Sequence, residues 1–260
     1  MSLIKNIIKA TPIYKAYIAK QKRDFERWKV AEEKRQFPLK VDFYKQFIQP
    51  GDLVFDIGAN VGNRVEVFLA LGAKVVAVEP QPNCAAMLKQ KFGNTIQIEN
   101  VGLGSKAGEL DMHIATDSTI STFSTDFIAA TGTERFKQHQ WVDTIKVPIT
   151  TFDALIEKYG IPVFAKIDVE GFETEVLSGL HQAIPALSLE YCVPELQANL
   201  QQCIHTLSHL SEAASFNYAV VEEMALVLNE WQTATAFTAT TNSKAFIDTL
   251  FGDVYFRSNK

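Results

Sequence analysis

Short apolar runs alternate with amphipathic stretches along most of this chain. Leu53–Ile57 is apolar apart from Asp56 and stops at Gly58. Residues 61–71 then carry apolar positions at helical spacing, and Gly72 closes them. Residues 74–79 are nearly all apolar until Glu79, and Pro80-Gln81-Pro82 turns into a helical stretch over 83–91, with Asn83 as its cap. Residues 95–99 form a third strand-like run. Apolar strands alternating with helices predict a parallel sheet covered on both faces.

The alternation lapses between Gly102 and Thr150. Two strand-like pieces, 109–114 and 145–150, flank a Ser/Thr-rich stretch over 118–133. An insertion of this length beside a site often covers it or meets substrate. The alternation then resumes with a helix over 151–159, a strand over 163–167, a helix over 172–180, a strand over 186–191 and a helix over 195–210. Residues 216–222 and 226–228 read as a hairpin turning at Glu223-Met224, which would make one strand antiparallel. A helix over 243–250 and an edge strand over 254–256 end the pattern.

The chain begins differently. Residues 4–36 read as helix: Ile4, Ile7 and Ile8, then Tyr14, Tyr17, Ile18, Phe25 and Trp28, recur among charges, with Pro12 breaking or starting a helix. Phe37-Pro38-Leu39 marks a junction, and residues 41–48 a further short helix. The predicted organisation is a helical extension over 1–49 and one α/β domain over 50–260, with the insertion at about 104–150.

Charge sharpens that division. The 260 residues carry a net −5, yet residues 1–36 hold ten Lys/Arg and four Asp/Glu, a net +6, leaving −11 for the remainder. An acidic body argues against nucleic acid as a partner. The basic segment suits peripheral contact with an acidic membrane surface; its plainer role is an appendage that packs on the body or makes a homodimer contact. No apolar run approaches the ~18 residues of a membrane helix, and the N-terminus lacks a signal peptide's apolar core. Three scattered cysteines read as reduced thiols of a cytoplasmic protein.

The candidate chemistry lies at the ends of the apolar runs. Strand, glycine turn and helix over Asp56-Ile57-Gly58-Ala59-Asn60-Val61-Gly62 form the entry to a nucleotide-type cofactor site, where the turn lets a ligand approach the backbone. A dinucleotide turn would carry a further glycine at position 60. Asn60 stands there, and Asp56 would repel a pyrophosphate while suiting the sulfonium and amino end of S-adenosylmethionine (SAM). Glu79, ending the second strand, suits ribose hydroxyls in either cofactor. Lys166-Ile167-Asp168-Val169-Glu170-Gly171 ends a strand with two carboxylates able to position or deprotonate a hydroxyl, and Glu190 ends the next strand on the same rim. Glu173 reads as a surface acid favoured by its helix dipole. Asp168 and Glu190 could together bind a divalent metal, but no metal is expected. His205 and His209 lack the glutamate of a zinc-protease helix.

Four motifs in order, Phe55-Asp56-Ile57-Gly58-Ala59-Asn60-Val61-Gly62, Val78-Glu79-Pro80, Asn100-Val101-Gly102-Leu103 and Lys166-Ile167-Asp168-Val169-Glu170-Gly171, together resemble the FkbM family of SAM-dependent methyltransferases over roughly residues 50–230. The resemblance implies a class I SAM-methyltransferase fold, a Rossmann-like, doubly wound, mostly parallel seven-stranded sheet with one antiparallel strand. It implies methylation of a hydroxyl on a sugar, glycolipid or secondary metabolite. By position, Asp56, Gly58, Ala59, Asn60 and Gly62 would hold the methionine end of SAM. Glu79, with Pro80 beside it, would hold the ribose, and Asn100 and Val101 would lie by the adenine. Asp168 would face the methyl or amino end, with Asp168, Glu170 and Glu190 as catalytic candidates. Gly102 stands where the family usually has alanine. The alternatives are an NAD(P)-linked oxidoreductase and a non-catalytic methyltransferase-like binding module.

Overall fold

The computed structural model describes residues 11–221 and 223–258, so the predicted helical positions Ile4, Ile7 and Ile8 and the strand position 222 lie outside it. The chain divides into two compact units, Met1–Asp42 and Phe43–Lys260. Helix α1 starts at Pro12 and runs unbroken to Tyr44. Pro38, expected at a junction, sits inside it, since a proline removes only one bond of the helical ladder.

In the second unit the order is β1 (Leu53–Ile57), α2 (Asn63–Ala70), β2 (Lys74–Val78), α3 (Pro82–Phe92), β3 (Gln97–Glu99), β4 (Gly102–Leu103), β5 (Gly108–Ala115), α4 (Thr125–Thr131) and β6 (Trp141–Thr150). Then come α5 (Phe152–Tyr159), β7 (Phe164–Ile167), α6 (Glu173–Leu177), β8 (Ala186–Cys192), α7 (Gln197–Leu210), β9 (Ala214–Val220), β10 (Gln232–Thr233), α8 (Ala234–Thr241), α9 (Lys244–Ile247) and β11 (Phe251–Ser258). The main sheet runs β10-β9-β11-β8-β7-β1-β2-β3. Without the two-residue β10, this is the class I methyltransferase sheet. β1, β2, β3, β7 and β8 are parallel, and β11 lies antiparallel between β8 and β9.

Consecutive residues of β1, β2, β7 and β8 are buried, which requires cover on both faces. On one face Phe43, Tyr44 and Phe47 stack edge-on or flat against Phe68, Phe164 and Tyr255. Fully buried rings such as Phe55 and Phe152 each contribute on the order of 1.5–3 kcal/mol.

Three local expectations need correction. Residues 226–228 are not a strand: the Asn217 side chain holds Leu228 at both its N–H (3.0 Å) and its carbonyl (2.8 Å), in place of a ladder. The antiparallel strand is instead β11, expected as a short edge but wholly interior, with Val254, Tyr255 and Phe256 buried. The cap of α3 is Gln81 rather than Asn83, because Pro82 takes the first helical position, where its missing N–H costs nothing. The insertion forms its own sheet, β4-β6-β5, with β5 and β6 antiparallel, and carries α4.

Candidate active site

The turn between β1 and α2 is fixed from within. Gly58 has φ 85°, and a Cβ there would stand 1.8 Å from the carbonyl oxygen of Asp168. Gly62 has φ 87°, and its Cβ would meet the Phe92 ring at 2.4 Å. Both glycines are therefore already required by the protein's own packing. The turn's amides are also committed. Gly58 and Ala59 donate to Val78 O (2.9 and 3.1 Å), Gly62 to Ala59 O (2.8 Å), and Asn60 to Glu79 Oε2 (2.7 Å). Asn60 takes φ 46°, a conformation asparagine tolerates.

Two acids flank this turn in near-complete burial. Asp56 and Glu79 are each 2% exposed. Asp56 Oδ2 has no hydrogen-bond partner among the described residues. Burial pushes the Asp56 carboxyl up to about 7, against the pull of Lys166 and Arg64. Glu79 accepts from Asn60 N–H and from Gln81 N–H, both at 2.7 Å, and burial still lifts it to about 6. Each Glu79 oxygen keeps a second lone pair. Asn100 ties the end of β3 to this corner, its Nδ2 donating to Glu79 O (2.7 Å) and Pro80 O (3.1 Å). Val101 packs its side chain against the main core.

The third element lies at the ends of β7 and β8. Asp168, Glu170 and Glu190 bring carboxylate oxygens within 4.8 Å of one another. These are the oxygens that a divalent cation would use. Burial, then the charges of Asp168 and Glu173, push Glu170 well up; burial, then Glu170 and Asp168, do the same to Glu190. Glu170 sits at φ 53°. Glu173 is not the expected surface acid: it is 5% exposed, and its Oε1 accepts the amides of Val169 (3.2 Å) and Gly171 (3.3 Å), which bends the chain after β7. Burial lifts it to about 7.

Sequence reasoning passed over two residues here. Lys166 quotes readily as part of the motif, but its side chain is 1% exposed and bonds Asp168 Oδ2 (3.0 Å) and Asp253 Oδ1 (2.9 Å). Asp253 comes from β11, 87 positions away. The available signal was a lysine, and separately an aspartate, inside otherwise apolar strands, where unpaired charge is not tolerated.

The insertion reaches all three elements. Asn60 Nδ2 lies 3.3 Å from Ser118 Oγ, Gln81 Nε2 donates to Ser118 O (3.0 Å), and Thr122 Oγ1 donates to Glu170 O (2.8 Å). Arg135 forks onto Glu195 (2.8 and 3.0 Å) and Val193 O (3.0 Å) beyond β8. The residues 118–122 thus border the glycine turn and the acidic rim together.

The raised acids make a pH prediction. Asp56, Glu79 and Glu173 bind protons in the folded chain where the unfolded chain, with values of 3.8 to 4.5, has lost them. The folded state then holds more protons, so its stability is full below the unfolded values and falls as pH rises through about 6 to 7. The ligand-free protein should melt at a lower temperature at about pH 8 than at about pH 5.5; calorimetry showing the reverse order would contradict this burial account.

Comparison with known proteins bears on the same stretch. A family model described as "Methyltransferase FkbM domain" matches residues 56–224. A protein named hexuronic acid methyltransferase AglP, from Haloferax volcanii, is 27% identical over 154 residues, and the match spans 57% of this chain and 57% of that relative. Among solved structures, a precorrin-6y C5,15-methyltransferase from Geobacter metallireducens superposes at TM-score 0.45 with 9% identity, covering 85% of this chain and 88% of the other. A TehB-like SAM-dependent methyltransferase from Corynebacterium glutamicum superposes at 0.43 with 11% identity, covering 93% and 99%.

Proposed function

The chain belongs to the FkbM methyltransferase family, and on that premise we propose that it transfers a methyl group from SAM to a hydroxyl, in first place one on a sugar. One observation carries the cofactor reading: the ends of β1, β2 and β7 offer acids, and one of the two most buried, Asp56, has an oxygen with no partner among the described residues. An orphaned buried carboxylate oxygen suits a cation and would oppose a pyrophosphate. The residues present therefore fit SAM better than a dinucleotide. Asp56 and the turn from Gly58 to Gly62 would border its methionine end, Glu79 and Pro80 its ribose, Asn100 and Val101 its adenine, and Asp168 its cationic end.

SAM, when bound, supplies a methyl group made electrophilic by a sulfonium sulfur. The chain's own part is alignment and proton handling. Holding the acceptor oxygen in line with the donor removes most of the entropic cost of the encounter. Glu170 and Glu190 are half-buried and crowded, which raises their proton affinity; the one that faces the acceptor in its ionised form can take the hydroxyl proton as the new bond forms. Ser118 borders this space from the insertion and offers a hydroxyl for recognition of a polar acceptor, while buried Thr122, bonded to Glu170 O and to Ser124 N–H, anchors the insertion to the rim. The name of the Haloferax relative supports a sugar acceptor. Three free thiols support a reducing, cytoplasmic setting. Among the described residues, no helix is long and apolar enough to cross a membrane.

Isothermal titration is the direct test. S-adenosylhomocysteine (SAH) should bind the wild-type chain, and Glu79→Ala should weaken it by about tenfold to a hundredfold, the cost of losing hydrogen bonds to a buried carboxylate. Wild-type protein that binds NADH but not SAH would overturn the proposal.

A further inference from the structure

The buried lysine is a strong charge beside the acids that the proposed chemistry leaves without a role. Lys166 Nζ sits between two carboxylates, 3.0 Å from Asp168 Oδ2 and 2.9 Å from Asp253 Oδ1. The three side chains differ sharply in exposure: Lys166 1%, Asp253 8%, Asp168 37%. The brace therefore has a closed end, Asp253 on β11, and an open end, Asp168 at the tip of β7. Tyr255 adds its hydroxyl to Asp253 Oδ2 at 3.5 Å. Burial alone would lower the Lys166 ammonium, but Asp168 and Asp253 outweigh it and hold the group well up.

A lysine paired with Asp168 alone would form a neutral pair, with little to offer a cation. The second carboxylate changes that sum. Lysine and two aspartates carry a net −1, and the only member open to solvent is Asp168. Lys166 also occupies Oδ2, so the oxygen left for a ligand is Oδ1, in a side chain that can no longer rotate freely. Glu170 and Glu190 do not do this job, since burial and mutual crowding favour their neutral forms.

We propose that Lys166 and Asp253 are positioning residues: together they fix Asp168 and leave its end of the site with one net negative charge, which selects a cationic ligand. This rests on the SAM reading above and adds a specific consequence. SAM carries a sulfonium charge that SAH lacks, so the brace should favour SAM over SAH. A purely structural brace would affect both alike.

The experiment is a charge cycle read by titration of SAM and SAH on the full chain. Asp253→Asn makes the triad neutral while keeping an oxygen for Lys166. It should weaken SAM by about tenfold more than SAH, from the loss of one charge at short range in a partly shielded site. Lys166→Met with Asp253→Asn restores a net −1 on Asp168 alone and should restore the wild-type SAM-to-SAH ratio, with a lowered kcat because Asp168 is no longer held. Asp253→Ser repeats the neutralisation should the asparagine variant fold poorly, with circular dichroism confirming the fold. An unchanged ratio in a folded Asp253 variant would overturn the brace while leaving the cofactor assignment intact. Failure of the wild-type chain to bind either compound would overturn the cofactor assignment itself.

Discussion

Asp168→Asn should lower kcat/KM for methyl transfer by about 10²–10³-fold, the range for losing one preorganised electrostatic group at the reacting centre, with a smaller effect on SAH binding. Three features of the site combine in this expectation. Asp168 is the open member of the Lys166–Asp168–Asp253 triad, and so the one able to meet a ligand. Its backbone is fixed by its own N–H, which donates to Ile57 O at 2.9 Å, and by the contact of its carbonyl with Gly58. Its carboxylate also adds to the field that raises Glu170 and Glu190. The asparagine keeps the shape and removes the charge, so steady-state kinetics beside a SAH titration separate chemistry from binding. An unchanged kcat/KM would remove Asp168 from the site. Glu170→Gln and Glu190→Gln, assayed in parallel, identify the proton acceptor: the variant that flattens the pH–rate profile has lost it.

The second large effect is on folding. Gly58→Ala should destabilise the chain by about 3 kcal/mol or more, with loss of cofactor binding as a consequence. Two costs add. The residue needs φ 85°, and its new methyl would stand 1.8 Å from the Asp168 carbonyl oxygen. That oxygen belongs to the backbone at the end of β7, so relief requires moving a central strand. Gly93→Ala is the control: its φ is also positive, at 59°, but nothing lies within 4 Å of its Cβ. With ψ at −121° it should cost about 1–3 kcal/mol, the backbone term alone, and less than Gly58→Ala. Denaturant melts of the two variants separate the terms, and equal losses would show that the contact with Asp168 does not matter.

The glycine turn illustrates how a motif can be read correctly for an incomplete reason. Its sequence located the site, yet Gly58 and Gly62 are required by Asp168, Phe92 and Leu88, side by side with the amide bonds to Val78. Glu173 shows the converse. A single acid in the first turn of a helix is ordinarily a surface feature, and only the fold shows that it is buried against two amides. The insertion lay outside any motif, and its Ser118 and Thr122 gained meaning only when placed against Asn60, Gln81 and Glu170.

The sequence by itself determined the order of strands and helices, the glycine turn, and the acids at the strand ends. Each of these is written locally, in burial period, in turn chemistry, or in a charged residue closing an apolar run. The position of β11, the burial of Glu173 and the meeting of Lys166 with Asp253 were decided by the tertiary structure alone. The last depends on a lysine and an aspartate 87 residues apart being brought together when β11 lies down beside β8. Lys166 has Asp168 two residues on, but neither Lys166 nor Asp253 announces the other, because the cost that pairs them, an isolated charge taken out of water, exists only once the sheet has closed around both.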